Sequence, residues 1–301
     1  MHALTPPGEG HVRFDLTKSL WLWGMAVPGL VIGLPAIDLH LGAIALTLGF
    51  VTLCLGHSVG LHRGAIHHTY EAGPVVRAVL AELFVLTGLG GPLSWARLHA
   101  VRDLYQNEPE CPRYFGYRHS MARDFWWNLH LRFEPRSWGR FEARLPAATL
   151  EDRWLGFLER TWPLHVLALA LVIGATLGPE AVAVIVCLRT TTGILGHWAI
   201  GYASHVWGER RHTIDGAAET GTNNWLLGVV SFGEGFHNNH HAFPHSARMG
   251  QRGYEVDLGF VALKVLERLG AVRDVRYTTA HERPADTHHR LDGGHRPARG
   301  V

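Results

Sequence analysis

Uncharged stretches alternate with charged ones along the chain, and this pattern predicts helices that cross a membrane. The uncharged stretches cover about 19–37, 41–61, 161–179 and 181–207, with Arg189 the single formal charge in the last of them. Each stretch is long enough to cross about 30 Å of hydrocarbon as a helix. The turns 38–40 and 178–180 are so short that each pair must form a helical hairpin. The pattern therefore predicts an all-α integral membrane protein with four transmembrane helices in two hairpins.

The distribution of basic residues indicates how these helices are oriented. Neither short turn contains Lys or Arg, whereas the segment before residue 19, the segment 63–160 and the segment after residue 209 contain all of them apart from Arg189. Basic residues favour the cytoplasmic side of a membrane. We therefore expect both termini and both large connections to be cytoplasmic.

The remaining segments complete a predicted single domain over residues 1–279. The apolar stretch 83–95 is interrupted by glycines and a proline, so we expect it to lie in the interface or re-enter the membrane rather than span it. Apolar residues at helical spacing over 258–269 predict a helix of the cytoplasmic part. Residues 280–301 are rich in His, Arg, Asp, Gly and Pro, a composition typical of a disordered tail.

Composition and charge exclude several classes of function. The net charge is only +2 and no Lys/Arg run is dense enough to follow phosphates, so nucleic acid is not an expected partner. The three cysteines form no CxxC pair, which argues against a disulfide framework or a zinc ribbon. The polar leader before the first apolar stretch lacks a small-residue cleavage site, so a retained span is expected rather than a signal peptide.

Histidine is the unusual residue, with 22 copies, and many of them are clustered. The run 237–241 reads HNNHH, which places three imidazoles on one face of a short helix because positions i, i+3 and i+4 are neighbours. A second cluster lies upstream, and the clustered histidines occur at or beyond the cytoplasmic ends of the predicted spans: His57, His62, His67, His68, His99, His197 and His205. Neighbouring imidazoles repel one another when protonated, whereas neutral imidazoles bind transition metals. We therefore expect a histidine-ligated metal centre just beneath the cytoplasmic surface.

The number of imidazoles favours two metal ions. Six or more imidazoles with one or two carboxylates exceed the four ligands that a single zinc ion takes. Two redox-active irons beside a membrane are suited to splitting dioxygen and attacking an unactivated C–H bond of a lipid.

Between about residues 19 and 269 the chain resembles the membrane-bound, histidine-box fatty acid desaturases, particularly acyl-CoA desaturases. The segment 62–67, HRGAIH, is similar to the first box, HRxxxH, and Trp95 with His99 is similar to the opening of the second. Trp198 and His205, followed by Trp-Gly, resemble the element that carries a lone ligand histidine. The segment 233–244, GEGFHNNHHAFP, matches the third box nearly residue for residue.

The chain departs from the family pattern at two places. The second box should read HxxHH but here reads HAVRD, so that Arg102, which cannot ligate a metal, and Asp103, which can, replace two histidines. Gly201 stands where the family tends to have an asparagine. The resemblance implies a metal-ligand set of His62, His67, His99, Asp103, His205, His237, His240 and His241. His57 and His197 are spare imidazoles that are possible additional ligands.

The resemblance also implies a function. It is the dioxygen-dependent desaturation of a fatty acyl chain carried on coenzyme A, a carrier protein or a membrane lipid, with two irons as cofactor and electrons from a ferredoxin or a cytochrome-type donor. The altered second box leaves open a hydroxylase, an acetylenase or another lipid oxidase with the same centre. A metal-binding membrane protein without catalysis is a further alternative. Metal transport is disfavoured because transporters place their ligands near the middle of the bilayer.

Several charged residues near the boxes have two possible roles. Glu234 is the preferred carboxylate for orienting a ligating imidazole, whereas Asp215 and Glu219 are equally well explained as solvated loop charges. Arg189 is interpreted as half of a structural ion pair or as a residue of a substrate channel, with the ion pair favoured. The remaining candidates are arginines that would bind an anionic headgroup, such as the phosphate of coenzyme A or of a carrier protein, or would form an ordinary basic surface: Arg63, Arg97 and Arg102.

Overall fold

Four long apolar helices dominate the computed structural model, which describes residues 4–5 and 8–278. The helices that are long and apolar enough to cross a membrane are span 1 (Leu16–Ala36), span 2 (Leu39–Ile66), span 3 (Arg153–Leu177) and span 4 (Pro179–Val206). This agrees with the predicted all-α architecture with four transmembrane helices. The predicted disordered tail, 280–301, lies outside the described residues.

Three of the spans contain π-helix, in which each backbone N–H bonds the carbonyl five residues earlier. Span 1 is α-helical over Leu16–Pro28, π-helical over Gly29–Gly33 and α-helical again over Leu34–Ala36. Span 2 changes from α-helix, Leu39–Val51, to π-helix, Thr52–Ile66. Span 4 consists of Pro179–Ala181, a π-helical stretch over Val182–Leu188 and an α-helix over Arg189–Val206. Aspartates cap the first three spans at their N-termini.

Glycines allow spans 1 and 4 to touch backbone to backbone. A Cβ atom added at Gly29 would lie 2.8 Å from the backbone nitrogen of Leu188, and one added at Gly33 would lie 2.5 Å from the carbonyl oxygen of Ala183. Both distances are shorter than van der Waals contact, so any larger residue would push the two spans apart.

Shorter elements outside the spans build the part of the protein that carries the site. The helices are α1 (Pro74–Val85), α2 (Pro92–Gln106), α3 (Met121–His130), α4 (Gly139–Glu142), α5 (Ala147–Leu150), α6 (Trp225–Val230), α7 (His237–Ala242) and α8 (Leu258–Arg268). Strands β1 (Gly10–Phe14) and β3 (Leu131–Pro135) pair antiparallel, as do β2 (Glu71–Ala72) and β4 (Val272–Arg273). The helix expected over 258–269 is therefore present.

The apolar stretch 83–95 belongs to two helices rather than to one element. Helix α1 ends at Val85 and α2 begins at Pro92. Gly88 and Gly90 in the turn between them have φ angles of 76° and 123°, which residues with a side chain rarely adopt. Apolar side chains of α1, α2, span 2 and span 3 then form one buried cluster, which includes Leu61, Phe84, Ala96 and Leu158.

The expectation of an ion pair for Arg189 is wrong. Its guanidinium is buried and donates to the carbonyl oxygens of Ile185 at 2.9 Å and Leu86 at 2.7 Å, and to the hydroxyl of Thr52 at 3.3 Å. Within residues 4–5 and 8–278, no carboxylate lies within 4.0 Å of it. Backbone dipoles rather than a counter-charge therefore stabilise this cation, and they link span 4 to span 2 and to the end of α1.

Candidate metal centre

The π-helical part of span 2 brings the two histidines of the HRxxxH segment together. The backbone N–H of His67 donates to the carbonyl of His62 at 3.1 Å, a bond between residues five apart. The imidazole centroids are consequently 4.9 Å apart. In an α-helix, residues five apart point about 140° away from each other, since each residue turns the helix by about 100°. The spacing of this motif therefore requires the change from α-helix to π-helix.

Helix α2 presents His99 to the same place. Its first turn is fixed by Glu159 of span 3, whose carboxylate accepts from the backbone N–H groups of Leu93 at 2.9 Å and Ser94 at 3.0 Å. The Nε2 atoms of His99 and His62 lie 2.9 Å apart. Two nitrogens that each lie about 2.1 Å from one ion, at a right angle, are separated by about 3 Å, so this distance suits two ligands of the same ion.

Two buried asparagines hold the short helix α7 in place. The Asn238 carboxamide accepts from the backbone N–H of Arg211 at 2.8 Å and donates to the carbonyl of His212 at 3.0 Å. Asn239 donates to the carbonyl of Met249 at 2.7 Å and to the carboxylate of Glu255 at 3.1 Å. From the sequence, these two residues are expected to cap or bridge the ligand loop and to have no chemical role. Their partners lie 10 to 27 residues away along the chain, so the sequence alone could not reveal these hydrogen bonds.

The histidines form two groups. In each group, the ligand atoms all lie within 4.8 Å of one another. The first histidine group consists of His62, His67, His99 and His240, and the second histidine group consists of His205, His237 and His241. Helix α7 contributes to both groups. Its three imidazoles share one face, but His240 belongs to the first group and His237 and His241 belong to the second. Each group could hold a metal ion.

Carboxylates or a carbonyl lie beside Nδ1 of three imidazoles in these groups. The carboxylate of Glu234 lies 2.6 Å from Nδ1 of His62, and that of Asp103 lies 3.1 Å from Nδ1 of His99. In the second histidine group, Nδ1 of His205 donates to the carbonyl of Gly201 at 2.8 Å. A proton held on Nδ1 leaves the lone pair on Nε2, which is the usual arrangement around ligating histidines. Glu234, the carboxylate that the sequence favours for this role, lies beside Nδ1 of His62, and its orienting role stays a prediction.

The donor atoms fit a transition metal. Nε2 of His67, Nε2 of His205, Nε2 of His241 and Nδ1 of His240 are buried without a hydrogen-bond partner. Burial, together with the neighbouring imidazoles, holds the pKa of His67, His237 and His240 well below the ordinary value. These imidazoles therefore stay neutral near pH 7, as metal ligation requires.

Asp103 lies at the junction of the groups but is not a member of either. Its carboxylate contacts His99, and its charge also acts on His67 and His241. Burial raises the pKa of this carboxyl, but its interactions with the adjacent imidazole of His99 outweigh that effect and hold the pKa below its usual range. Asp103 is therefore ionised, and its assignment as a metal ligand stays a prediction.

The two spare imidazoles form a separate pair. The rings of His57 and His197 have centroids 4.9 Å apart, and the ring of Trp95 packs against both of them. His57 reaches toward the first histidine group only as far as His62, at a centroid distance of 6.3 Å. The structure therefore brings these two histidines to the edge of the centre and not into either group.

Arg63 is not a headgroup-binding residue, and that interpretation is wrong. Its side chain is fully buried and donates to both oxygens of Asp257, at 2.9 Å and 3.1 Å, to Glu234 at 3.0 Å and to the carbonyl of Ala247 at 2.8 Å. No part of it reaches a surface headgroup. Arg63 instead joins span 2 to the segment that carries α7 and to the N-terminus of α8, which Asp257 caps.

The other charged candidates differ in exposure. Arg97 is partly exposed and pairs with Glu142 at 2.7 Å. Glu219 is buried and accepts from the backbone N–H of Tyr117 at 3.4 Å, whereas Asp215 is exposed. Tyr117, which the sequence did not single out, stacks on the imidazole of His205 with centroids 3.9 Å apart.

A cavity of about 530 Å³ adjoins both histidine groups. This volume lies in the range of small-molecule sites, about 300–1,000 Å³. Apolar and small residues of spans 1, 2 and 4 line it, together with Lys18 and Arg102. Residues of both histidine groups contribute to its wall: His62, His99, His205 and His237.

Comparison with known proteins identifies similar chains. Residues 38–250 match the model of the family described as "Fatty acid desaturase". The chain is 30% identical over 228 residues to the sn-1 stearoyl-lipid 9-desaturase of Anabaena variabilis, covering 73% of this chain and 78% of that protein. It is 27% identical over 226 residues to the Acyl-CoA C20 Delta5-desaturase of Anemone leveillei, covering 73% of this chain and 69% of that protein.

Proposed function

Because the chain belongs to the fatty acid desaturase family, as an integral membrane oxidoreductase, we propose that it removes two hydrogens from adjacent methylenes of a fatty acyl chain with dioxygen at a centre of two irons. The observation that carries the proposal is the pair of histidine groups, each with ligand atoms within 4.8 Å of one another, beside one cavity. Two adjacent imidazole sites in the wall of a cavity bring metal chemistry to a molecule bound there.

The first histidine group would hold one ion and the second histidine group the other. The second group has one imidazole fewer, and Asp103, which contacts His99 between the groups, is the residue that would complete it. Bound iron supplies the activation of dioxygen that no protein side chain provides.

The contribution of the protein is orientation and exclusion of water. Glu234, Asp103 and the carbonyl of Gly201 lie beside Nδ1 of their histidines and would keep a proton there, which would leave Nε2 free to bind a metal. Apolar side chains such as Leu53 and Ile194 line the cavity and would hold a methylene chain against the centre. A chain fixed in this way exposes only a few of its carbons to the reacting site.

The topology and the partners follow from the same assignment. The basic residues outside the short turns favour a cytoplasmic location for the centre and for both termini. Residues 1–279 would form one domain. The substrate would be an acyl chain on coenzyme A, a carrier protein or a lipid, because both acyl-CoA and acyl-lipid desaturases are among the similar proteins. A ferredoxin or a cytochrome-type protein would supply two electrons per double bond.

The test compares two histidine variants in a host that expresses the protein. His240→Ala removes a candidate ligand of the first histidine group, and His40→Ala, at an exposed residue in the first turn of span 2, is the matched control. We expect His240→Ala to lose iron and new double bonds in the host lipids while it still inserts in the membrane, and His40→Ala to retain both. A His240→Ala variant that still makes the product would refute the proposal.

Product mass distinguishes desaturation from the alternative chemistry of the same centre. Desaturation removes two hydrogens from the acyl chain, whereas hydroxylation adds one oxygen. Mass spectrometry of the isolated lipids therefore decides between a desaturase and a hydroxylase.

A further inference from the structure

The segment before α7 carries an exposed apolar surface. Residues 220–233 contain no formal charge. Within them, helix α6 packs Gly228 directly against the ring of Phe236 and turns other side chains outward. The side chains of this outer surface, the α6 face, are each more than half exposed: Trp225, Leu226 and Val230. A helix in contact with water usually places polar residues on its outer side, so the α6 face is suited to an apolar partner.

The end of span 4 lies next to this segment. The hydroxyl of Thr222, three residues before α6, donates to the carbonyl of Trp207 at 2.9 Å. Trp207 directly follows Val206, the last residue of span 4, and both side chains are exposed. A tryptophan at the end of a span is typical of the boundary between hydrocarbon and headgroups. Helix α6 is therefore tied to the level at which span 4 leaves the membrane.

Phe232, two residues after α6, shows how deep this segment reaches. Its ring contacts the ring of Phe50 edge to face, with centroids 5.3 Å apart. Phe50 lies eleven residues after Leu39, the first residue of span 2. At about 1.5 Å per residue, Phe50 is about 16 Å along that helix. The hydrocarbon layer is about 30 Å thick, and the charged Asp38 that caps span 2 stays outside it. The ring of Phe232 therefore lies within the hydrocarbon.

Val230 belongs both to the α6 face and to the wall of the cavity beside the histidine groups. Ser231 and Phe232 line the same cavity, as do the apolar side chains of Leu53 in span 2 and Ile194 in span 4. The cavity and the exposed apolar surface thus meet at Val230, in a stretch of chain without formal charge. Such a wall is suited to admitting hydrocarbon rather than water.

We propose that α6 is inserted in the bilayer, where the α6 face contacts lipid hydrocarbon and the cavity opens to that hydrocarbon at Val230. Two residues of backbone span at most about 7 Å, so Val230 stays close to the depth of Phe232. At this depth the surrounding medium is lipid, which disfavours a water-soluble protein as the partner of this face. An acyl chain then enters the cavity from the bilayer without crossing water. This last step rests on the proposed function, whereas the membrane contact of α6 does not.

The test measures tryptophan fluorescence of the full-length, iron-loaded protein in nanodiscs of phosphatidylcholine with brominated or ordinary acyl chains. Bromine quenches the tryptophans that lipid chains touch, and without a reductant no turnover occurs. The fluorescence that Trp225→Phe removes should be lost in brominated lipid. Trp138→Phe is the matched control, because Trp138 follows the end of β3 that pairs with Gly10, the residue of β1 farthest from span 1. The fluorescence that this control removes should be the same in both lipids.

A tryptophan added at the opening tests the second part of the proposal. The fluorescence that Val230→Trp adds should be lost in brominated lipid, whereas that added by Ala143→Trp, at an exposed residue after α4, should not. A Trp225 signal that is equal in both lipids would overturn the insertion of α6. A quenched Trp225 signal with an unquenched signal from Val230→Trp would overturn the opening at Val230. Neither result bears on the proposed function, which is judged by iron content and lipid products.

Discussion

The contact between the Glu234 carboxylate and Nδ1 of His62 gives the most direct test of how the centre is organised. We expect Glu234→Gln to weaken metal binding at the first histidine group while the fold is retained. One carboxylate oxygen accepts from Arg63 at 3.0 Å and the other lies 2.6 Å from Nδ1 of His62, so each oxygen has a polar neighbour. A glutamine has one acceptor and one donor. If its oxygen faces Arg63, its NH₂ group faces Nδ1 and drives the proton to Nε2, the nitrogen that should bind the metal. If the amide is turned, its NH₂ group faces the guanidinium.

In either orientation the NH₂ group of the glutamine faces another donor, so the variant cannot accept from both His62 and Arg63. Loss of a carboxylate that orients a ligating histidine typically lowers metal affinity about 10–100-fold, which corresponds to about 1.4–2.7 kcal/mol. Titration of the purified protein with a competing chelator, followed by measurement of bound iron, gives this affinity.

The matched control is Glu142→Gln, which removes a carboxylate that pairs with Arg97 at the surface and should leave iron binding unchanged. Unchanged iron affinity in Glu234→Gln would refute the idea that this carboxylate fixes the tautomer of His62. An equal loss in both variants would point to a general effect on stability instead.

Three further perturbations test other parts of the structure. Arg63→Gln should lower the free energy of unfolding by about 3–5 kcal/mol, because Asp257 and Glu234 lose a buried partner. Thermal unfolding in detergent measures this loss. An unchanged stability with a raised KM would instead support headgroup binding. The variants His57→Ala and His197→Ala should each bind as much iron as the unmodified protein, since neither ring belongs to a histidine group. Loss of one ion in either variant would show that the replaced histidine is a ligand. The metal-free protein should lose stability as the pH falls below about 6.5, by up to about 1.4 kcal/mol per pH unit for each buried imidazole whose pKa is lowered. The unfolded imidazoles take up protons there and the folded ones do not, so denaturant titrations at pH 7 and pH 5.5 should differ in this direction, and equal stability at both would contradict the burial argument.

Much of the architecture could be predicted because it depends on local composition. A run of apolar residues needs no partner to predict a span, since the thickness of the bilayer sets its length. The HNNHH run likewise places its imidazoles on one face of α7 by helical geometry alone. The division of that face between two groups could not be predicted, because it depends on which distant histidines approach α7.

The arginines illustrate the same limit. Arg63, Arg97 and Arg102 were equivalent candidates for binding a headgroup, because a sequence records charge and not its surroundings. In the structure one of them is buried against two carboxylates, one pairs at the surface and one lines the cavity. Arg189 was expected to have an ion-pair partner, but the carbonyl of Ile185, one turn earlier in the same span, and that of Leu86, which the fold brings near, stabilise it instead.

From the residues alone it follows that this protein crosses a membrane with four apolar helices and carries enough clustered imidazoles for metal binding, because hydrophobicity and residue spacing act over a few neighbouring positions. Contacts between remote segments decide the rest: the change of span 2 to π-helix, the sorting of the imidazoles into two groups, and the carboxylates that orient them. Those features arise from side chains that are distant in sequence and pack in one place, as Arg63 and Asp257 do across 194 positions, and such packing is a property of the folded chain.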